Sequence, residues 1–208
     1  MRELPVAVVL HGRGGDHRSA ATLGYDRFLA AAVAGGTPPF AVVSVDGGDT
    51  YWHRRASGDD PVAMIRHELL PSLAARGLRT DRIALQGWSM GGYGALLLAE
   101  RWKAGMVAGV AAMSPAIFAD YPSSSDVAFD DEADFTANDL FRATAGLAQV
   151  AVRIDCGADD PFAAQSARFR AAVRPTPAGG ESAGGHDDRF WHRMLPGQLD
   201  FVGRTLAG

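Results

Sequence analysis

The sequence predicts an α/β fold, a mostly parallel central sheet flanked by helices, and three observations carry that expectation. Short β-branched runs alternate with longer Ala- and Leu-rich stretches of helical period, the pattern of strands joined by crossover helices. The strand-like runs are apolar throughout, as expected where helices cover both faces of a sheet. Compact polar stretches follow the strand ends, at the edge where open parallel sheets bind ligands.

Taken in order, the first strand is expected over 6–10, ending in His11-Gly12-Arg13-Gly14-Gly15-Asp16. A helix over 18–33 and a strand over 40–45 follow, then the polar loop Thr50-Tyr51-Trp52-His53-Arg54-Arg55. The helix over 61–76 has the clearest start, with Asp60 as N-cap and Pro61 at the first helical position. Its Met64, Ile65, Leu69 and Leu73 form one apolar stripe. The third strand, 82–86, leads through Gly87-Trp88-Ser89 into a helix over 90–102; strands over 107–113 and 150–156 and helices over 162–173 and 188–206 complete the alternation.

Two segments interrupt it. The stretch 117–146 carries Ser123-Ser124-Ser125 and then Asp126, Asp130, Asp131, Glu132, Asp134 and Asp139. A connection of that length reads as a functional insertion or lid, or as a solvated acidic flap over one sheet edge. Its carboxylates lack the spacing of a Ca²⁺ loop, so no metal is expected. The stretch 175–185, rich in glycine and proline, is expected as loop around at most one short strand. No seam divides the 208 residues, and a single domain over 1–208 is the expectation.

Composition narrows the function. Hydrophobic residues make up 47 % of the chain and charged ones 21 %, ample for a core and contrary to disorder. Twenty basic against 24 acidic residues give a formal charge of −4, so no cationic field holds a nucleic acid. No apolar run reaches the roughly 18–20 residues of a membrane span. The start, Met1-Arg2-Glu3-Leu4-Pro5, lacks the layout of a signal peptide. The single cysteine, Cys156, has no partner for an internal disulfide. A soluble, cytoplasmic protein is expected, the alternative being an exported one whose N-terminal segment has been removed; oligomeric state is not legible.

The chemistry lies at the strand ends. Gly87-Trp88-Ser89-Met90-Gly91 matches G-x-S-x-G between a strand and a helix. The flanking glycines permit a turn too tight for a β-carbon, which holds the serine in a strained conformation with its hydroxyl above the sheet. The helix starting at Met90 then aims its first N–H groups at an oxygen that becomes anionic. Such a serine needs a base and a group to orient that base. Of six histidines, His17 and His67 read as solvated and His192 as packed in a helix. His53 is open to either substrate contact or plain loop chemistry. His186, in Gly184-Gly185-His186-Asp187-Asp188, stands on a flexible stretch as a loop-borne base needs. Asp159 and Asp160 both follow the fifth strand, and spacing alone does not choose between them. Cys156 ends a buried strand with no base nearby and reads as core. A phosphate-cradling role for the first glycine-rich loop lacks both G-x-G-x-x-G and the P-loop pattern, and the only lysine is Lys103.

These residues resemble the serine-dependent α/β-hydrolase superfamily, within it the esterase branch of esterase D-like and antigen 85-like enzymes. The resemblance covers the whole chain and rests on Leu10-His11-Gly12-Arg13-Gly14-Gly15, Gln86-Gly87-Trp88-Ser89-Met90-Gly91-Gly92-Tyr93-Gly94-Ala95, Cys156-Gly157-Ala158-Asp159-Asp160-Pro161-Phe162 and Gly184-Gly185-His186-Asp187. It implies the α/β-hydrolase fold, Ser89 as nucleophile, His186 as base and then acid, and the N–H groups of Arg13 and Met90 as oxyanion hole. The family pattern G-x-x-D-x-F selects Asp160 over Asp159. Family members normally have one or two strands before the His-Gly strand, where this sequence almost begins. The resemblance therefore implies a shortened sheet, or one whose missing strands were removed or come from another subunit.

The reading is a serine hydrolase cleaving small-molecule carboxylic esters through an acyl-enzyme, with no metal and no organic cofactor. Gly12, Tyr51, Trp52, Trp88 and Trp191 are the expected substrate-binding residues, the four aromatics being equally readable as core. The alternatives are an acyltransferase passing the acyl group to a sugar or other alcohol, and a non-catalytic binding protein retaining the fold.

Overall fold

The computed structural model describes residues 3–208; Met1 and Arg2, part of the start discussed above, lie outside them. Strands β1 (Pro5–Leu10), β2 (Ala41–Ser44), β3 (Arg79–Trp88), β4 (Val107–Met113), β5 (Ala151–Gly157) and β6 (Ala178–Ser182) form one sheet in the order β2-β1-β3-β4-β5-β6. Every neighbouring pair is parallel. The helices are α1 (Ser19–Thr22), α2 (Tyr25–Ala34), α3 (Pro61–Met64), α4 (Leu70–Ala75), α5 (Met90–Met106), α6 (Glu132–Ala137), α7 (Ala163–Ala172) and α8 (Asp188–Ala207).

Alternation along each strand divides its apolar residues between two cores, which is why the strand sequences read as unbroken hydrophobic runs. Val6, Val8, Leu10, Ile83 and Leu85 point to the core shared with α5 and α7. Ala7, Val9 and Ala84 point to the other, shared with Leu195, Leu199 and Val202 of α8. Helices α5 and α8 thus clamp the middle strands from opposite faces, and the C-terminal ends of those strands carry the glycine-rich loops.

Most expected elements form, with differences that have local causes. The helix expected over 18–33 breaks into α1 and α2 because Gly24 takes a left-handed φ of 83°, which glycine adopts without steric cost. The helix over 61–76 starts as expected, the Asp60 carboxylate accepting from the Ala63 N–H at 2.9 Å. Between α3 and α4 it widens into a π-turn over Ile65–Leu69. There Leu70 N–H bonds back to the Ile65 carbonyl, one residue before Pro71, which has no N–H to continue the α-helical ladder. Strand β3 begins three residues earlier than expected, at Arg79 and not Arg82, because the polar Arg79 still pairs through its backbone with Pro5. The regular part of α5 ends where expected, at Trp102, because the next residue, Lys103, has φ 58° and ψ −178°.

The acidic stretch 117–146 contains α6 and a 3₁₀ turn over Leu140–Arg142. Ala128, Phe129 and Leu140 are buried in the same core as Tyr51 and Tyr93. Several of its carboxylates serve local backbone and ion-pair roles: Asp131 caps α6 and Asp139 caps the 3₁₀ turn. Asp130 pairs with Arg55 at 2.9 Å.

One carboxyl in the core has no such partner. Glu100 of α5 is 3 % exposed, and neither of its carboxyl oxygens has a hydrogen-bond partner among the described residues. Burial pushes its pKa up to about 9, with Arg101 opposing and Asp139 reinforcing the shift. The native state then holds a proton that the unfolded chain loses above the ordinary glutamate range, so stability contributed by this group is complete in acid and falls as pH rises toward 9. The slope is at most about 1.4 kcal/mol per pH unit. Glu100→Gln should therefore gain on wild type between pH 5 and pH 8 in paired urea unfolding curves. A pH-independent difference would mean that the native carboxyl is already ionised.

Candidate active site

The β3–α5 junction places Ser89 in a conformation that serine avoids, φ 53° and ψ −123°. Three backbone hydrogen bonds hold it there: Ser89 N–H donates to the Met113 carbonyl, and the Ser89 carbonyl accepts from Tyr93 and Ala116 N–H. Gly91 lets the start of α5 press against β1, since a β-carbon on Gly91 would fall on the Leu10 carbonyl. The end of β1 and the first turn of α5 are thereby side by side.

Across the sheet edge, the β5 and β6 loops interlock. Ala158 N–H bonds to the Ser182 carbonyl and Asp159 N–H to the Gly184 carbonyl, both at 2.9 Å, which fixes the approach to His186. The imidazole Nε2 lies 2.8 Å from Ser89 Oγ, and Nδ1 lies 2.9 Å from Asp160 Oδ2. Because an ionised carboxylate only accepts, Nδ1 carries the proton and Nε2 is free to accept from the serine hydroxyl. The rings of Phe162 and Trp191 stand edge-on to the imidazole, each with its centroid 5.3 Å away.

The Asp160 side chain is fully buried against a His186 ring that is 24 % exposed. Burial alone would raise its pKa, but hydrogen bonds from His186 and from the Phe162 N–H at 2.8 Å outweigh it and hold the carboxyl below its ordinary value. Asp159 is exposed. Cys156 is buried, and burial pushes its thiol up to about 11, so a thiolate is out of reach at neutral pH.

Gly12, Arg13, Trp88, Ser89, His186 and Trp191 line one cavity of about 450 Å³. Three of the five expected substrate-binding residues, Gly12, Trp88 and Trp191, therefore share the cavity with Ser89. Tyr51 and Trp52 are not. Both have positive φ, 53° and 59°, and that turn swings their rings inward. Trp52 is fully buried and its Nε1 donates to the His11 carbonyl at 3.2 Å, while Tyr51 packs among Tyr93, Phe118 and Phe129. His53 is likewise interior, stacked on Phe129 with Nε2 donating to the Ala128 carbonyl at 3.0 Å. Leu23 and Asp188 also reach the cavity. Leu23 is there because of the break at Gly24, which no periodicity signals, and Phe162 could have been read from its place two residues after Asp160. A larger cleft of about 700 Å³, lined by Asp46, Asp49, Asp59 and Asp130 among others, contains none of the residues around Ser89.

Among the described residues no group of three or more His, Cys, Asp or Glu side chains is placed to hold a metal ion. Likewise, among these residues no helix is long and apolar enough to cross a membrane.

Residues 1–199 match the Esterase family. No curated protein matches the chain. Among solved structures, a ferulic acid esterase is similar with a TM-score of 0.84 at 26 % identity, over 98 % of this chain and 86 % of that one. An S-formylglutathione hydrolase from Agrobacterium tumefaciens gives 0.77 at 18 % identity, over 99 % and 85 % of the two chains. Mycobacterium tuberculosis MPT51 gives 0.71 at 18 % identity, over 97 % and 91 %; these last two show the fold. With a sheet and helices of this arrangement and a family match over nearly the whole length, the chain belongs to the Esterase family, as a carboxylesterase-type serine hydrolase of the α/β-hydrolase superfamily.

Proposed function

We propose that the protein cleaves carboxylic esters through a covalent acyl-enzyme, with Ser89 as nucleophile, His186 as proton carrier and Asp160 as the group that orients it. The observation that carries the reading is the continuous chain from Ser89 Oγ to His186 Nε2, 2.8 Å, and from His186 Nδ1 to Asp160 Oδ2, 2.9 Å. In the first half-reaction Ser89 Oγ bonds to the ester carbonyl carbon as its proton passes to Nε2. The tetrahedral oxyanion is held by the N–H groups of Arg13 and Met90. Collapse of that intermediate breaks the bond to the alcohol, which leaves with the proton from Nε2. In the second half-reaction water enters the open cavity, gives its proton to Nε2 and attacks the acyl carbon, and the proton returns to Ser89 as the acid departs. Asp160, kept ionised, holds the Nδ1–H tautomer throughout and stabilises the imidazolium.

A fluorophosphonate should label the protein once, with fluoride leaving phosphorus as Ser89 Oγ bonds to it, and peptide mass mapping should place the adduct on Ser89. A panel of p-nitrophenyl esters of increasing acyl length, with a feruloyl ester included because the 26 % identical relative is a ferulic acid esterase, should lose all turnover after labelling. Adding an alcohol distinguishes hydrolysis from transfer: free acid as the dominant product supports the hydrolase, and a new ester supports an acyltransferase. Turnover with no adduct on Ser89 would sink the covalent reading, and no turnover on any ester would favour a binding protein.

A further inference from the structure

We propose that His11, which bonds to neither Ser89 nor His186, is a positioning residue that sets the direction of the Arg13 N–H. The inference rests on the reading of that N–H as an oxyanion donor. The His11 ring is fully buried and hydrogen-bonded at both nitrogens. Nδ1 lies 2.8 Å from the Gly12 carbonyl oxygen, and Nε2 accepts from the Gly47 N–H at 3.0 Å. A carbonyl can only accept and an amide N–H can only donate, so the proton sits on Nδ1 and the ring is a single neutral tautomer.

The Gly12 carbonyl also accepts from the Gly15 N–H at 3.1 Å. Both of its donors therefore lie on one side of the Gly12–Arg13 peptide. In a trans peptide the C=O and the following N–H point in opposite directions. Pinning the Gly12 oxygen toward His11 and Gly15 turns the Arg13 N–H away from them. The neighbouring space is the cavity: a β-carbon on Gly12 would lie 2.9 Å from Trp88 Nε1 and 3.5 Å from Ser89 Cβ.

The preceding and following peptides are fixed as well. Trp52 Nε1 donates to the His11 carbonyl at 3.2 Å, with the two rings edge to face at 5.1 Å. From outside, Asp49 Oδ1 accepts the Gly14 N–H at 2.7 Å. A loop of small residues, which would otherwise sample many peptide orientations, is thus held in one orientation before substrate arrives, and preorganised donors are what stabilise a developing oxyanion.

Two substitutions separate the two ring contacts. In His11→Asn the side-chain amide sits near the Nδ1 position and still donates to Gly12, but Gly47 loses its acceptor. In His11→Gln the amide reaches the Nε2 position, keeping Gly47 and giving up Gly12. His11→Gln should lower kcat on an oxygen ester about 100-fold, the lower end of losing one oxyanion donor, with KM within about twofold because the carbonyl is not yet charged in the ground state. His11→Asn should recover most of that loss.

A thionoester with the same leaving group supplies the readout that a packing role would not move. Sulfur is a weak hydrogen-bond acceptor, so the thionoester rate should fall far less than the oxygen-ester rate in His11→Gln. Equal losses in both variants, or on both substrates, would overturn the proposal. If the wild type itself shows no advantage for the oxygen ester over the thionoester, the oxyanion reading fails; if it does and His11→Gln keeps it, only the role of His11 fails. The wild type provides a second check that needs no variant to fold. Ring ¹⁵N shifts of His11 at pH 7 should report Nδ1–H and a bare Nε2, and the opposite tautomer would refute the proposal.

Discussion

Ser89→Ala should reduce ester turnover about 10⁶-fold, the loss typical of removing a triad serine, while the protein still folds. Among the described residues the side chain makes one hydrogen bond, to His186 Nε2. The backbone of residue 89 is held independently, through Met113, Tyr93 and Ala116. Those three bonds keep the residue at φ 53°, a region that costs an L-residue about 1–3 kcal/mol. Ser89→Gly should be as inactive as Ser89→Ala yet unfold at higher denaturant, since glycine occupies that region with little strain. Burst-free single-turnover assays and urea titrations of the three proteins measure both quantities. Residual turnover above about one per cent of wild type would require another nucleophile, as a triad without its serine retains far less. Cys156 is a poor candidate for that part, being buried with its thiol pushed up to about 11. If instead Ser89→Gly proves less stable than wild type, the tight turn would not be a strained one.

How much of this was legible in the sequence depended on whether a feature is local. The β4 strand has the bounds expected of it, 107–113, because both its faces are covered and its run is apolar to each end. The Ser89 turn was legible because its physical requirement, missing side chains beside the serine, is written in Gly87 and Gly91. The loop 50–55 misled for the opposite reason. Aromatic and histidine side chains among polar residues look like a substrate wall, but two consecutive positive φ angles at Tyr51 and Trp52 invert the turn and send the rings inside. Neither residue is glycine or asparagine, so composition gives no hint of left-handed backbone. The role of Trp52 as a prop beneath the His11 carbonyl is a contact across 41 positions that no spacing encodes. The choice between Asp159 and Asp160 was legible only through the resemblance, whose G-x-x-D-x-F pattern selects Asp160; spacing alone left it open, because adjacent residues near a turn point to different sides and the path of the chain after Gly157 decides which one meets His186.

That choice yields the second large effect. Asp160→Asn should lower kcat about 10⁴-fold and Asp159→Asn should leave it within about twofold, since exposed side chains away from the chemistry rarely matter. Asparagine nearly preserves the volume of the buried carboxylate, so packing against Phe162 and the β5 turn should survive. What changes is charge and proton placement. Asp160 is held below its ordinary pKa, burial notwithstanding, by bonds from His186 and the Phe162 N–H, and is therefore an anion throughout the neutral range. An amide there cannot stabilise the imidazolium that forms when His186 takes the serine proton. Its NH₂ group also offers a proton to Nδ1, which favours the tautomer with Nε2 protonated and unable to accept from Ser89. The loss should thus appear in kcat and in the rate of fluorophosphonate labelling, with KM little changed, because both reactions need the same proton transfer and ground-state binding does not. Raising the pH should not restore the Asn variant, as the missing charge is not one that titration supplies. Should Asp159→Asn prove the crippled protein and Asp160→Asn the active one, the 2.9 Å contact between Asp160 and His186 would be packing, and the orienting acid would have to reach the imidazole from the other side of the β5 turn.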